Sequence, residues 1–176
     1  MEVKIRPMIM SDIQFVQEID QKSFPNPWPL NSYKYEIQEN ENSRPWVIEK
    51  TDHDLVRICG MAVIWNIVDE AHLGTIAIHP DHRETGVGKT LLSSILLSAI
   101  DDGMLTGFLE VRESNISAIN MYKSIGFKID GVRKAYYQDN NENAILMSID
   151  LNNRAQIEKS FELGIEKMKM KSGGAE

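Results

Sequence analysis

The stretch Ile76-Ala-Ile-His-Pro-Asp-His-Arg83-Glu-Thr-Gly86-Val-Gly88-Lys-Thr-Leu-Leu92 decides the fold. It reads as a buried strand, a glycine turn and a helix that begins through two glycines. The first amides of a helix have no carbonyl partner ahead of them, and the helix dipole adds positive character at the same end. A turn bare of side chains at that place is an anion site, and phosphate is the anion it suits. The stretch therefore predicts a cofactor of nucleotide type.

Gly86-Val-Gly88-Lys89-Thr90 also imitates the end of a phosphate-binding loop of the form G-x-x-x-x-G-K-[ST]. That loop needs a glycine five residues before Gly88, where this chain has Arg83. Its backbone could not wrap phosphates in the same way, so a nucleoside triphosphatase is set aside.

Moving outward, Val3-Lys-Ile-Arg alternates as an edge strand, and Ser11-Asp12 is placed to cap a helix carrying Ile13, Val16, Ile19 and Asp20. Phe24-Pro-Asn-Pro-Trp-Pro29 is a loop, because three prolines forbid a helix. A short helix over 31–39 follows. Trp46–Glu49 and Val56–Ile67 read as antiparallel strands around a turn at Thr51–Asp54, and His72–Ile78 as the next strand. From Gly86 to Ile100, Val87, Leu91, Leu92, Ile95, Leu96, Ala99 and Ile100 form an apolar stripe of helical period. Leu105–Arg112 is a strand, Asn115–Ser124 a helix stopped by Gly126, and Phe127–Tyr137 with Glu142–Leu151 a final hairpin. After residue 152 a further helix is predicted with Ile157, Phe161, Ile165 and Met168 on one face, and Lys171–Glu176 as a frayed end.

The order β-α-α-β-β-β-α-β-α-β-β specifies an α+β domain over residues 1–151 with a helical extension over 152–176. The one crossover, strand to Gly86 helix to Leu105 strand, makes a parallel pair.

Arg83-Glu-Thr-Gly86-Val-Gly88 matches [QR]-x-x-G-x-[GA]. Downstream stand Leu109-Glu110-Val111-Arg112-Glu113-Ser114-Asn115, Ala118-Ile119-Asn120-Met121-Tyr122, Gly126-Phe127 and Arg133-Lys134-Ala135-Tyr136-Tyr137. In this order and spacing they resemble the N-terminal protein acetyltransferases of the GNAT superfamily, nearest the RimI (ribosomal-protein-alanine) and Ard types, over residues 2–150. The resemblance implies the GNAT fold: a mostly antiparallel, mixed seven-stranded sheet with helices on both faces and a splayed central parallel pair. It implies acetyl-CoA as co-substrate, its pantetheine arm between the splayed strands, and direct attack in a ternary complex.

Chemistry assigns the residues. Backbone amides of Arg83, Glu84, Thr85, Gly86, Val87, Gly88 and Lys89 are to meet the diphosphate. The backbone of Ile76, Ala77 and Ile78 is to bind pantetheine like an added strand, the isoleucine side chains being core. Asn115 and Tyr122 lie seven residues apart, hence on one helix face. Asn115 reads either as a helix cap or as a cofactor contact. Tyr122 reads either as core packing on Ile125 and Phe127 or as the acid beside the leaving sulfur, the role implied by the resemblance. The thiolate of a thiol of pKa about 8.5 does not fully deprotonate a phenol of about 10, so Tyr122 would act by hydrogen bonding. Glu110 shares a strand face with Phe108 and Arg112. It is either the general base, its pKa raised by burial, or half of an ion pair with Arg112.

Phe24, Trp28, Tyr136 and Tyr137 are candidates to clamp a peptide N-terminus, or else simply anchor their loops; Glu70 is a second candidate base. The loop of the Ard type, Pro-Glu-Asn-Tyr, is here Pro25-Asn26-Pro27-Trp28, which lies nearer RimI.

A net charge of −7 disfavours nucleic acid, which needs a basic face. The lone Cys59 excludes an internal disulfide and reads as a small buried residue. His53, His72, His79 and His82 show no ligand spacing, so no metal is expected. No apolar run approaches the ~20 residues of a membrane span, and no signal peptide is read, which predicts a cytoplasmic enzyme. The substrate expected is a protein N-terminus. A lysine or small-amine acetyltransferase, or a non-catalytic acyl-CoA-binding module, is the alternative.

Overall fold

The structure, a computed structural model, describes residues 2–52 and 55–172. Its elements are β1 (Glu2–Pro7), α1 (Ile13–Ser23), α2 (Leu30–Gln38), β2 (Ser43–Asp52), β3 (Leu55–Ile67), β4 (Glu70–Ile78), α3 (Val87–Asp101), β5 (Thr106–Arg112), α4 (Ile116–Ile125), β6 (Lys128–Tyr137), β7 (Glu142–Asp150) and α5 (Arg154–Ser172). The seven strands form one sheet in the order β1-β2-β3-β4-β5-β7-β6. Among the described residues the β4–β5 pair, joined by the crossover helix α3, is the one pair of neighbouring strands that runs parallel. The element order and the edge position of β1 agree with the sequence reading. The expected turn at Thr51–Asp54 and the end of the tail lie partly outside the described residues, as does His53.

Two apolar clusters sandwich the sheet. On one face α3, α4 and α5 bury Leu91, Leu92, Ile95, Leu96, Ile119, Ile125, Ile157 and Met168 against strand residues such as Ile64, Leu109, Met147 and Ile149. On the other, α1 and α2 bury Val16, Ile19 and Tyr33 against Val47, Met61, Val63 and Ala77. Each fully buried aliphatic side chain contributes about 1.5–3 kcal/mol of hydrophobic stabilisation.

Ser11-Asp12 does not cap α1 as the sequence suggested: no side-chain cap bond is made there. Asp12 instead accepts from the Ile9 amide at 2.9 Å and binds Arg6 at 2.7 Å, and Arg6 also holds Glu49 of β2. Burial works to raise the Asp12 pKa, but the Arg6 and Ile9 bonds outweigh it and leave the pKa lowered. A strong cationic partner next to the carboxylate outcompeted the helix amides.

The sheet opens at its middle. The β4–β5 ladder pairs Glu70 with Thr106 through Leu73 with Leu109 and stops. Beyond it, residues 75–78 pair only with β3, and residues 110–112 only with β7. The parting begins at a bulge: Thr75 faces Val63 but Leu73 faces Ile64, so Gly74 is the extra residue in β4. An added residue bends its strand and strengthens its twist. Gly74 also lies flat under Trp65, where a Cβ would come within 2.7 Å of the indole.

Helix α5 runs antiparallel to α3. Arg154 at its start binds Asp101 at the end of α3 at 2.7 Å, while Gly164, midway along α5, lies against Gly86 and Thr90 at the start of α3. Gly164→Val should place a side chain into Thr90 and destabilise the protein by about 1–3 kcal/mol through overpacking. Urea unfolding checks this, and an unchanged midpoint would refute the tight contact.

Candidate active site

The loop between β4 and α3 follows from its residues. Pro80 starts a single 3-10 turn over Pro80–His82, and the Thr85 hydroxyl donates to the His82 carbonyl at 2.7 Å. Gly86 then caps α3 with φ of 97°, left-handed backbone that glycine adopts without strain. The first bond of α3 runs from the Thr90 amide to the Gly86 carbonyl at 3.0 Å. The amides of Val87, Gly88 and Lys89 therefore precede any intrahelical carbonyl.

The glycines differ from their expected part in one respect. A Cβ on Gly86 would meet the Gly164 carbonyl at 2.5 Å, and one on Gly88 would meet the Met121 sulfur at 3.1 Å. Their missing side chains make room for α5 and α4.

Arg83 also behaves otherwise than a free cation. Its Nε donates to the Ile78 carbonyl at 3.1 Å and its Nη2 to the Ser23 hydroxyl at 2.9 Å. It fastens the end of β4 to the end of α1. The His79 amide bonds back to Cys59 of β3 at 2.8 Å. By alternation Ala77 also turns its backbone to β3, whereas Ile76 and Ile78 turn theirs into the gap. With the Ile78 carbonyl taken by Arg83, the gap-facing edge retains the Ile76 amide and carbonyl and the Ile78 amide. The side chains of Ile76 and Ile78 pack on the α3 face, and Ala77 on the α1–α2 face.

Glu110 and Tyr122 lie on opposite faces of β5. Tyr122 sits with Leu109 and Val111 in the α3–α4–α5 cluster, its ring 5.8 Å from Phe127. Burial pushes its phenol well above the ordinary range, with Tyr137 adding to the shift, so it is protonated at neutral pH. Glu110 is on the other face, which α1 and α2 leave uncovered here. This corrects the expectation that Glu110 is buried: its side chain is one-third exposed. Its ionic partner is likewise not Arg112 but Arg133 of β6, at 2.7 Å. Arg112 is engaged by Asp139 at 2.9 Å and Glu142 at 3.2 Å and lies 3.9 Å over the Tyr137 ring.

Asn115 is a cap: its Oδ1 accepts from the Ala118 amide at 3.2 Å. Phe24 and Trp28 pack on the α1–α2 cluster. Trp28 stacks on Trp65 at 6.2 Å and 8°, and its amide donates to the buried Asp20 at 2.6 Å. The loop is thus anchored, and one wall of the open face is aromatic. Tyr136 and Tyr137 meet edge to face at 5.2 Å. Tyr136 is exposed, its pKa raised first by its hydrogen bond to Glu110. Glu70 pairs with His72 at 2.7 Å at the closed end of the parallel pair, away from the gap. Cys59 is fully buried, and burial raises its thiol pKa. No helix of the described residues is long and apolar enough to cross a membrane.

Sequence comparison agrees with this geometry. The Acetyltransferase (GNAT) family profile matches residues 13–127. This chain belongs to the GNAT acetyltransferase family. A Bacillus subtilis (strain 168) relative is 38% identical over 148 residues, 84% of this chain and 95% of its own, and is provisionally named a ribosomal protein bS18-alanine N-acetyltransferase. The enzyme of that name from Escherichia coli (strain K12) is 30% identical over 143 residues, 80% of this chain and 93% of its own. The crystal structure of the ribosomal-protein-S18-alanine N-acetyltransferase from Escherichia coli superimposes with a TM-score of 0.75 at 28% identity, covering 85% of this chain and 94% of that one. The chain is an acetyltransferase, and its co-substrate is acetyl-CoA.

The GNAT site fits that co-substrate on its own features. A strand edge with unpaired amide groups borders a gap, and the gap leads to a helix start with free donors. Sequence reasoning missed Arg133, Trp65, Gly74 and Asp20. A bulge and contacts across strands give no local signal. Only Asp20 was visible, as an acid within an apolar helix stripe.

Glu142 latches the start of α4. It accepts from the Ser114 amide at 2.7 Å, and bonds from Ser114 lead the causes that lower its pKa to about 2. A lowered folded pKa means the latch is complete above the unfolded value, about 4.3, and is lost as pH falls toward 2. NMR titration of this carboxyl should give a midpoint well under 4; one at 4.3 would remove the latch.

Proposed function

We propose that this enzyme acetylates the α-amino group at the N-terminus of a protein, with ribosomal protein bS18 as its natural target, in the cytoplasm. The observation that carries this reading is the placement of Glu110 and Tyr122 on opposite faces of β5, bordering the single opening in the sheet. An amine arriving over the uncovered face meets a carboxylate. A sulfur departing toward the helical face meets a protonated phenol. The co-substrate supplies the activated acetyl group and a thiolate that can leave.

In this reading the amides of residues 84–89 take the diphosphate, and the Ile76 and Ile78 backbone groups take the pantetheine amides. A β4 amide polarises the thioester carbonyl as its oxygen gains charge. Glu110, through water, takes a proton from the substrate ammonium, and the neutral amine so formed attacks the thioester carbonyl. Tyr122 donates a hydrogen bond to the sulfur. Arg133 keeps the Glu110 carboxylate placed until the substrate ammonium replaces it, one cation for another. Phe24, Trp28, Tyr136 and Tyr137 line the approach and grip the first residues of an extended chain.

The choice of amine has a physical basis. At pH 7 an α-amino group of pKa near 8 loses its proton at about 1 kcal/mol, a lysine of 10.4 at about 4.5 kcal/mol. A single carboxylate that is one-third exposed meets the first demand readily. The names of the relatives, matched over most of their length, point the same way.

Free thiol release from acetyl-CoA should rise with a peptide bearing the bS18 N-terminus and not with the same peptide already acetylated. Turnover on internal lysines alone would overturn the proposal. Glu110→Gln should lower kcat about 10²-fold or more, most strongly at low pH, with little change in cofactor affinity. Tyr122→Phe should lower kcat at every pH from 6 to 9, because the raised phenol pKa keeps this group protonated across that range. A rate that survives Glu110→Gln would take the base role from Glu110.

A further inference from the structure

Helix α5 lies beyond the residues matched to the GNAT profile, yet it reaches the cofactor turn. Its last third carries Lys167, Lys169 and Lys171 against a single acid, Glu166, in a chain of net charge −7. The close contact of Gly164 with Gly86 and Thr90 fixes the register of α5 at the start of α3. In that register the Lys167 Cβ stands 3.1 Å from where a Gly86 side chain would begin. Lys167 therefore rises beside the turn whose amides open α3. Burial lowers the Lys89 pKa, and the like charge of Lys167 is near enough to lower it further. Among the described residues neither lysine has an ion-pair partner.

Two unpaired lysines held side by side repel, and at about 4–6 Å a like charge disfavours the charged form. A polyanion placed between them turns that repulsion into attraction. Coenzyme A brings several phosphate charges to a protein that is acidic overall, with Glu84 exposed in the turn itself. A local cationic wall answers that repulsion.

We propose that Lys167, delivered by the C-terminal helix, acts with Lys89 to bind the phosphate groups of the acyl-CoA co-substrate. The inference rests on the cofactor reading given above and adds a binding residue from outside the matched family region. It makes residues 152–172 part of the site, and it gives the Gly86–Gly164 contact a purpose beyond packing.

The test compares wild-type protein, Lys167→Ala and Lys167→Arg by calorimetric titration with coenzyme A and with pantetheine, which lacks the phosphates. Lys167→Ala should weaken coenzyme A roughly fivefold at low ionic strength, and the difference should shrink as salt is added. Lys167→Arg should restore binding, and pantetheine should not distinguish the three proteins. Unchanged coenzyme A affinity in Lys167→Ala would overturn the proposal, as would an equal loss for pantetheine, which would mark a structural defect. If wild-type protein itself fails to bind coenzyme A, the cofactor site falls. If wild-type protein binds and Lys167 is indifferent, only this inference falls.

Discussion

Backbone amides and carbonyls tolerate burial only when paired. The parting of β4 from β5 after Leu73 and Leu109 leaves such groups without a strand partner in the middle of a sheet. The rest of the molecule keeps that opening from closing. The bulge at Gly74 turns β4 aside, and Trp65 covers the bulge. Arg83 ties the far end of β4 to α1, so the strand cannot swing back. On the other side β7 occupies β5 along its whole length. An extended chain of amides is what such an edge can accept, and the pantetheine arm of acetyl-CoA is one.

The opening also separates two chemical environments. Toward the helices it is dry: Tyr122 is buried among aliphatic residues, and its phenol holds its proton firmly. Toward the other face it is wet and charged, with Glu110, Arg133 and Tyr136 within reach of one another. The acid and base of the proposed mechanism need opposite surroundings, and one strand separates the two environments because alternate residues point to opposite faces. The β6–β7 hairpin adds shape. Ala135 holds a positive φ of 50°, and its amide donates to Asn143 at 3.0 Å, which sets Tyr136 and Tyr137 on the kinked edge.

Much of this was legible without coordinates, because local rules were enough. The apolar stripe from Val87 to Ile100 gave α3, the three prolines gave the loop before α2, and Asn115 gave the cap of α4. The cofactor turn was legible from the spacing of Arg83, Gly86 and Gly88. Alternation placed Glu110 on a face of its own, but alternation does not report how deep that face lies. Glu110 turned out exposed because, among the described residues, no helix covers β5–β7 on that side, and its partner Arg133 comes from a strand two positions away in the sheet. The cap expected of Asp12 failed for a related reason: Arg6 and Asp12 meet through the β1 edge, and their charges outweigh a local preference.

The sequence by itself determined the order of elements, the parallel crossover and the glycine turn that opens α3, since each depends on residues a few positions apart and on backbone geometry they can or cannot adopt. Only the tertiary structure decided which groups face the gap, what the bare positions at Gly86 and Gly88 accommodate, and that α5 returns to the start of α3. Those outcomes depend on distances between segments remote in the chain. Packing sets such distances, and no local pattern of residues encodes them.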